Sequence, residues 1–168
     1  MTTKGVTNMP KTEYAIEPGK QEIKSTILLD APRELVFKAY TDPELFVQWW
    51  GPRQYEVKID KFDSRPGGSW RVVHVAADGG RHAFRGVNHD VVAPERICRT
   101  FEYEGVPGHV ALETATFEAV GNKTRLLTHQ VFESVMDRDG MVASGMEQGA
   151  NESIERLSEL LEKMKAGR

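Results

Sequence analysis

The end of the sequence carries the pattern that most constrains the fold. From residue 141 to residue 165, apolar side chains recur at every third or fourth position, which predicts one long amphipathic helix. At a rise of about 1.5 Å per residue, this helix would be about 40 Å long. A helix of that length can cross the whole face of a curved sheet.

The middle of the chain predicts such a sheet, because its apolar residues alternate with polar ones in short runs. Turn sequences such as Pro66-Gly67-Gly68 and Asp78-Gly79-Gly80 separate the runs. Short turns between successive strands favour an antiparallel meander. Six strands are predicted here, at residues 55–59, 70–72, 81–92, 96–103, 109–120 and 123–132.

A further strand at residues 23–29 and two short helices precede this meander. Asp30-Ala31-Pro32 predicts an N-cap and an early proline for the first helix, and the second is predicted to begin at Asp42 and end at Gly51. Residues 1–20 are predicted to be a flexible arm, in which Tyr14 and Ile16 are the candidates for docking. Residues 21–168 are predicted to form a single domain.

This order of elements predicts an α+β fold in which a curved antiparallel sheet wraps around the long C-terminal helix. Sheet and helix meet at their ends and diverge in between, so we expect a cavity there. On the helix, Gly145, Gly149 and Ala150 either allow close packing on the sheet or leave volume for a ligand.

Composition excludes several classes of partner and site. The 168 residues include 22 basic and 25 acidic side chains, so the basic excess expected of a protein that binds nucleic acid or an anionic membrane is absent. Cys98 is the only cysteine, which excludes an internal disulfide and favours a reducing compartment. With no apolar run of about 18 residues, we expect a cytoplasmic protein that does not enter the membrane. The spacing of the five histidines predicts no metal site, and we expect no cofactor.

Several short motifs follow one another along the chain in a fixed order. They are Asp30-Ala31-Pro32 with Val36-Phe37, Thr41-Asp42-Pro43-Glu44-Leu45 running into Trp49-Trp50-Gly51-Pro52, Pro66-Gly67-Gly68-Ser69-Trp70-Arg71, Phe84-Arg85-Gly86, Pro94-Glu95-Arg96, and Gly145-Met146-Glu147-Gln148-Gly149 with Ser153 and Arg156-Leu157. This ordered set resembles the SRPBCC superfamily, also called START-like or birch-pollen-allergen-like. Within the superfamily, it is most similar to the branch of the C-terminal domain of the activator of heat-shock protein 90 ATPase.

The resemblance implies a helix-grip fold with a central cavity. Relatives use this cavity to bind lipids, hormones or polyketides, and some branches use it for cyclase or dehydratase chemistry. Eukaryotic members of the nearest branch stimulate a chaperone ATPase, an activity that fold analogy alone does not transfer.

Strand alternation predicts which side chains face the cavity, if Trp70 and Phe117 are taken as inward residues. The same faces then carry polar residues, among them Asn88 and Gln130. The candidate ligand-binding residues are Trp70, His74, His82, Phe84, Arg99, Phe101, Glu113, Phe117 and Thr128 from the sheet, and Met146 and Gly149 from the helix.

Arg99 and Glu113 are the most informative pair, because alternation places them on neighbouring strands with the same orientation. Inside a cavity they would hold a polar ligand group, or Glu113 would act as a general acid or base with help from His74 or His82. On the outer face they would form an ordinary exposed ion pair of little energetic consequence.

Three functions remain open from the sequence. The first is a binding protein for a small apolar or amphipathic molecule, which we favour over an enzyme. The second is an enzyme that uses the same cavity without a metal, similar to the cyclase or dehydratase relatives. The third is a protein-interaction module that contacts a chaperone, which requires an exposed apolar or charged patch.

Overall fold

The computed structural model describes residues 11–167 of the chain. These residues form eight strands and four helices, numbered in chain order. The strands are β1 (Glu13–Ala15), β2 (Glu22–Leu29), β3 (Glu56–Phe62), β4 (Ser69–Val75), β5 (Arg81–Val92), β6 (Arg96–Tyr103), β7 (Val110–Val120) and β8 (Lys123–Val131). The helices are α1 (Arg33–Thr41), α2 (Pro43–Phe46), α3 (Val135–Ala143) and α4 (Met146–Ala166).

The strands form one curved antiparallel sheet in the order β1-β2-β8-β7-β6-β5-β4-β3. Successive strands from β3 to β8 are neighbours in the sheet, which confirms the predicted meander. The core lies between this sheet and the helices, where Leu157 and Leu161 of α4 are buried with Phe117 of β7. The predicted α+β helix-grip architecture is therefore confirmed.

The C-terminal helix differs from the prediction, because two helices replace the single one expected over residues 141–165. The helix is interrupted at Ser144 and Gly145, where Gly145 adopts a φ of 83° in the left-handed region. A residue in that conformation interrupts the helical hydrogen bonds, and glycine adopts it without steric cost. The uninterrupted helix α4 has 21 residues and is therefore about 32 Å long.

The first two helices differ at their N-termini: a side chain caps α2, but none caps α1. Asp42 caps α2 as predicted, since its carboxylate accepts a hydrogen bond of 2.9 Å from the backbone N–H of Glu44. The predicted cap of α1 is wrong: Pro32 occupies the N-cap position and no side chain caps this helix. Asp30 instead forms an ion pair with Lys165 near the end of α4.

The N-terminal segment contains a strand where an arm is predicted. Strand β1 pairs with β2, and Tyr14 and Ile16 pack against a small apolar cluster around Ile23 and Phe132. The Tyr14 hydroxyl also donates a hydrogen bond of 3.0 Å to Asn151 of α4. Residues 1–10 of the predicted arm lie outside the described residues, and the division into an arm and a single domain stays a prediction.

The loop after α2 fastens α4 to the sheet. Gly51 donates its backbone N–H to the Ser153 hydroxyl at 2.8 Å, and its carbonyl accepts a hydrogen bond of 2.8 Å from Arg156. Gly51 has a φ of 98°, and a Cβ at this position would lie 2.5 Å from the His74 ring. The loop therefore needs glycine here both for its backbone conformation and for its contact with β4.

Candidate functional site

A cavity of about 190 Å³ lies between the concave face of the sheet and the first turns of α4. Most of its wall is apolar. The apolar side chains come from the sheet, from the segment after α2 and from α4, and include Ile27, Trp50, Phe62, Ile97, Leu126 and Ile154. The cavity predicted from the order of elements is therefore present, in the position expected for a helix-grip fold.

A row of polar side chains crosses the concave face at the cavity. Strand register places Asn88 of β5 opposite Arg99 of β6, Arg99 opposite Glu113 of β7, and Glu113 opposite Gln130 of β8. All four residues line the cavity. We call them the polar row. Arg99 and Glu113 therefore face the cavity and not the outer surface, which decides between the two orientations that the sequence left open.

Arg99 turns toward Trp70 and away from Glu113. Its guanidinium carbon lies 4.4 Å from the centroid of the Trp70 ring, a cation–π geometry. Trp70 is on β4, and the residue that faces it on the intervening strand β5 is Gly86, which has no side chain to obstruct the contact. The Trp70 ring therefore provides a fixed support for the arginine.

Glu113 forms no ion pair with any of the residues that the structure describes. Other arginines of this part of the sheet do form ion pairs, as Arg85 does with Glu102 and Arg96 with Asp90. Within residues 11–167, however, no nitrogen of Arg99 lies within 4.0 Å of a carboxylate oxygen of Glu113. The two opposite charges face the same space but do not neutralise each other by direct contact.

Tyr40, at the end of α1, adds a third polar group to this space. Its ring packs edge-on against Phe117 and at a tilt against Trp49, and the residue lines the cavity. Burial raises the pKa of the Tyr40 hydroxyl well above its usual value; the charge of Arg99 acts in the opposite direction and that of Glu113 in the same one. The hydroxyl is therefore neutral and can both donate and accept a hydrogen bond.

Five of the eleven candidate ligand-binding residues lie in the lining of the cavity: Trp70, Arg99, Glu113, Thr128 and Met146. Thr128 shares a hydrogen bond with Ser25 of β2, which also lines the cavity. The structure does not bring the other six to the lining, namely His74, His82, Phe84, Phe101, Phe117 and Gly149. Phe117 is a core residue, 1% exposed. Gly149 faces the ring of Pro52.

The two candidate histidines lie in an aromatic cluster beside the cavity. His74 is buried and packs against Trp50, Tyr55 and Phe84. Burial, together with the smaller effects of the nearby His82 and Arg156, lowers the pKa of His74 to about 4. His82 shares a hydrogen bond of 2.7 Å with the Tyr103 hydroxyl.

These positions do not assemble a metal site. Over residues 11–167, the histidines, cysteine and acidic residues form no group of three that could hold a metal ion.

Tyr40, Asn88 and Gln130 are among the polar cavity residues that the sequence-based candidates do not include. Alternation predicts the inward orientation of Asn88 and Gln130, and their amides could have been included on that ground. Tyr40 belongs to a helical stripe that otherwise predicts core packing. Nothing in that stripe distinguishes a hydroxyl that reaches a cavity from one that reaches solvent.

The sheet, the long helix and the cavity between them define a helix-grip protein. More specifically, the chain belongs to the family described as Activator of Hsp90 ATPase homolog 1-like protein, whose model matches residues 30–162. This family membership confirms the resemblance seen in the sequence motifs.

Solved structures of bacterial proteins share the fold. One from Rhodobacter sphaeroides has a TM-score of 0.84 at 22% identity, over 91% of this chain and 99% of its own. Another from Chromobacterium violaceum has a TM-score of 0.76 at 28% identity, over 84% of this chain and 97% of its own. No curated protein matches the sequence. Among the helices of residues 11–167, none is long and apolar enough to cross a membrane.

Proposed function

We propose that this protein binds a small, mostly apolar molecule with one polar end in the cavity between the sheet and α4. The observation that carries the proposal is the position of Arg99, a charged side chain that lines a mainly apolar cavity without an ion pair to the glutamate opposite it. A charged donor in such a place binds an acceptor group strongly, because water competes less there than at the surface.

The size of the cavity limits the ligand. A dry apolar cavity of about 150 Å³ is large enough to hold benzene. The volume of about 190 Å³ found here therefore suits a molecule with a single ring or a short chain. Contact with Trp70 holds the Arg99 guanidinium in place before the ligand arrives, which reduces the entropy lost on binding.

Filling the cavity is expected to abolish binding without unfolding the protein. Ala115 of β7 lines the cavity, and Ala115→Ile would place three additional carbon atoms in it. We expect native mass spectrometry of the protein purified from its own host to show a co-purifying small molecule, and the Ala115→Ile variant to lose it. Isoleucine suits a strand, so the fold is expected to persist.

The matched control is Ala119→Ile, which makes the same substitution on the same strand at an exposed position outside the cavity. This variant is expected to retain the small molecule. Retention by both variants, or the absence of any bound molecule from the parent protein, would contradict the proposal.

A second candidate function is an enzyme that transfers a proton within the same cavity. The observation that favours it is that the Tyr40 hydroxyl and the Glu113 carboxylate both open onto the space beside Arg99. Glu113 would then accept the proton, whereas His74 and His82 lie outside the lining and would not take part. Glu113→Gln should abolish turnover of an identified substrate, and unchanged turnover would exclude this role.

Contact with a chaperone, the third possibility raised by the sequence, stays a prediction. The family description names an activator of Hsp90 ATPase, which is a property of the proteins so described. For this chain, a small-molecule ligand accounts for the internal charges, whereas binding to the outer surface does not.

A further inference from the structure

The separation of Arg99 from Glu113 indicates which chemical group the polar end of the ligand carries. The two residues are direct neighbours across β6 and β7, where an arginine and a glutamate on one face ordinarily form an ion pair. Here the arginine instead reaches the ring of Trp70 on β4, on the other side of β5. The result is a donor and an acceptor that face the same cavity with a gap between them.

Any ligand that fills this gap displaces the water that would otherwise solvate both charges. A ligand group that satisfies only one of them leaves the other desolvated, which costs binding energy. The best occupant therefore accepts a hydrogen bond from Arg99 and donates one to Glu113. The neighbouring members of the polar row fit the same requirement, because the Gln130 side-chain amide both donates and accepts.

The charges also distinguish between chemical classes of ligand. The side chains of Arg99 and Glu113 together carry no net charge, and Asp63, a second acidic residue of the lining, is paired with Arg65. A carboxylate bound to Arg99 would lie next to the negative Glu113, which opposes its binding. An uncharged group meets no such repulsion.

We infer that the cavity recognises an uncharged molecule in which a hydrogen-bond acceptor and a hydrogen-bond donor are adjacent, such as a primary or secondary amide. This inference rests on the proposed function and specifies its ligand class. The carbonyl oxygen accepts from Arg99, the N–H donates to Glu113, and the apolar remainder occupies the wall formed by residues such as Ile97 and Ile154.

Three probes of nearly identical shape test the inference: benzamide, acetophenone and benzoate. Each has a benzene ring and a carbonyl carbon, but benzamide carries an N–H donor, acetophenone a methyl group and benzoate a negative charge. Binding to the full chain is measured by isothermal titration calorimetry and by ligand-detected NMR. We expect benzamide to bind about tenfold more tightly than either of the others.

Variants at Arg99 and Glu113 separate the contributions of these two side chains to the binding of the probes. Glu113→Met removes the acceptor and the negative charge, so benzamide should lose its advantage over acetophenone, and benzoate should bind several-fold more tightly than to the parent. Arg99→Met should weaken all three probes. The matched controls are Glu118→Met on β7 and Arg96→Met on β6, both exposed and outside the cavity, which should leave the affinities unchanged.

The outcomes distinguish this inference from the proposed function. If benzoate binds the parent protein most tightly, Arg99 is an anion site, and the inference fails while the proposed function stands. Equal binding of benzamide and acetophenone to the parent also overturns the inference. If none of the three probes binds, the proposed function fails as well. Because the affinities of the three probes are compared on the parent protein, this part of the test does not depend on whether a variant folds.

Discussion

The Gly86→Ala variant is expected to be less stable than the parent protein by about 3 kcal/mol of unfolding free energy. A Cβ on Gly86 would lie 1.9 Å from the carbonyl oxygen of Thr100 and 2.6 Å from Nε1 of Trp70. The first contact is with backbone, so β5 and β6 would have to separate to relieve it. Urea-induced unfolding, followed by circular dichroism, measures the loss.

Gly140→Ala is the control for the loss of stability expected in Gly86→Ala. Gly140 lies in α3, and a Cβ there meets no atom within 4 Å. Gly140→Ala should therefore raise the stability by up to about 1 kcal/mol, because alanine favours a helix. A loss of less than about 1 kcal/mol in Gly86→Ala would show that the sheet adapts to the methyl group, and would contradict the role given to this glycine.

Acidification is expected to destabilise the protein through His74 by about 2 to 3 kcal/mol between pH 7 and pH 4. Burial of His74 in the aromatic cluster lowers its pKa in the folded state from 6.5 to about 4. The unfolded chain therefore binds a proton at this histidine at a higher pH than the folded protein does. Stability is full above pH 6.5 and declines as the pH falls toward 4.

The His74→Leu variant isolates this contribution from the other titrating groups. In the part of the chain that the structure describes, the Nε2 atom of His74 is buried without a hydrogen-bond partner, so replacement by leucine breaks no hydrogen bond at that atom. Urea unfolding of both proteins at pH 7.5, 5.5 and 4.5 gives the comparison. The variant should lose less stability on acidification than the parent, and equal losses would show that His74 is not responsible.

His74 also links the stability of the fold to the position of the site. It contacts Gly51, whose backbone is held by Ser153 and Arg156 of α4, and its ring packs against Trp50, which lines the cavity. Protonation of this histidine would therefore act on the loop that fastens α4 over the cavity. Ligand binding should stabilise the same arrangement by mass action.

Local sequence signals determined most of the elements. Strands β5 and β6 have the predicted bounds, 81–92 and 96–103, because alternation and turn residues depend on near neighbours. The start of the short helix α2 follows from Asp42 and Pro43 for the same reason, but its predicted end at Gly51 is wrong, because the helix ends at Phe46. Alternation also determined that Arg99 and Glu113 share a face, since successive side chains of a strand point to opposite sides.

Features that depend on distant partners were not predictable in this way. Strand β1 has only three residues and no periodicity, and it forms because the edge of β2 offers unpaired backbone groups. The break at Gly145 interrupts a stripe that continues on both sides of it. His74 and His82 have the predicted orientation, but neighbouring aromatic residues separate them from the cavity.

By itself, the sequence determined that this protein is a curved antiparallel sheet with a long C-terminal helix, and that two opposite charges, those of Arg99 and Glu113, share one face of the sheet; it left open whether that face is the inner or the outer one. Only the tertiary structure decided that these charges remain apart. Arg99 is drawn to Trp70, two strands away, and the Trp70 indole lies over β5 in space that a side chain on Gly86 would need. Such a contact depends on the relative positions of three strands, which the spacing of residues along one strand does not determine.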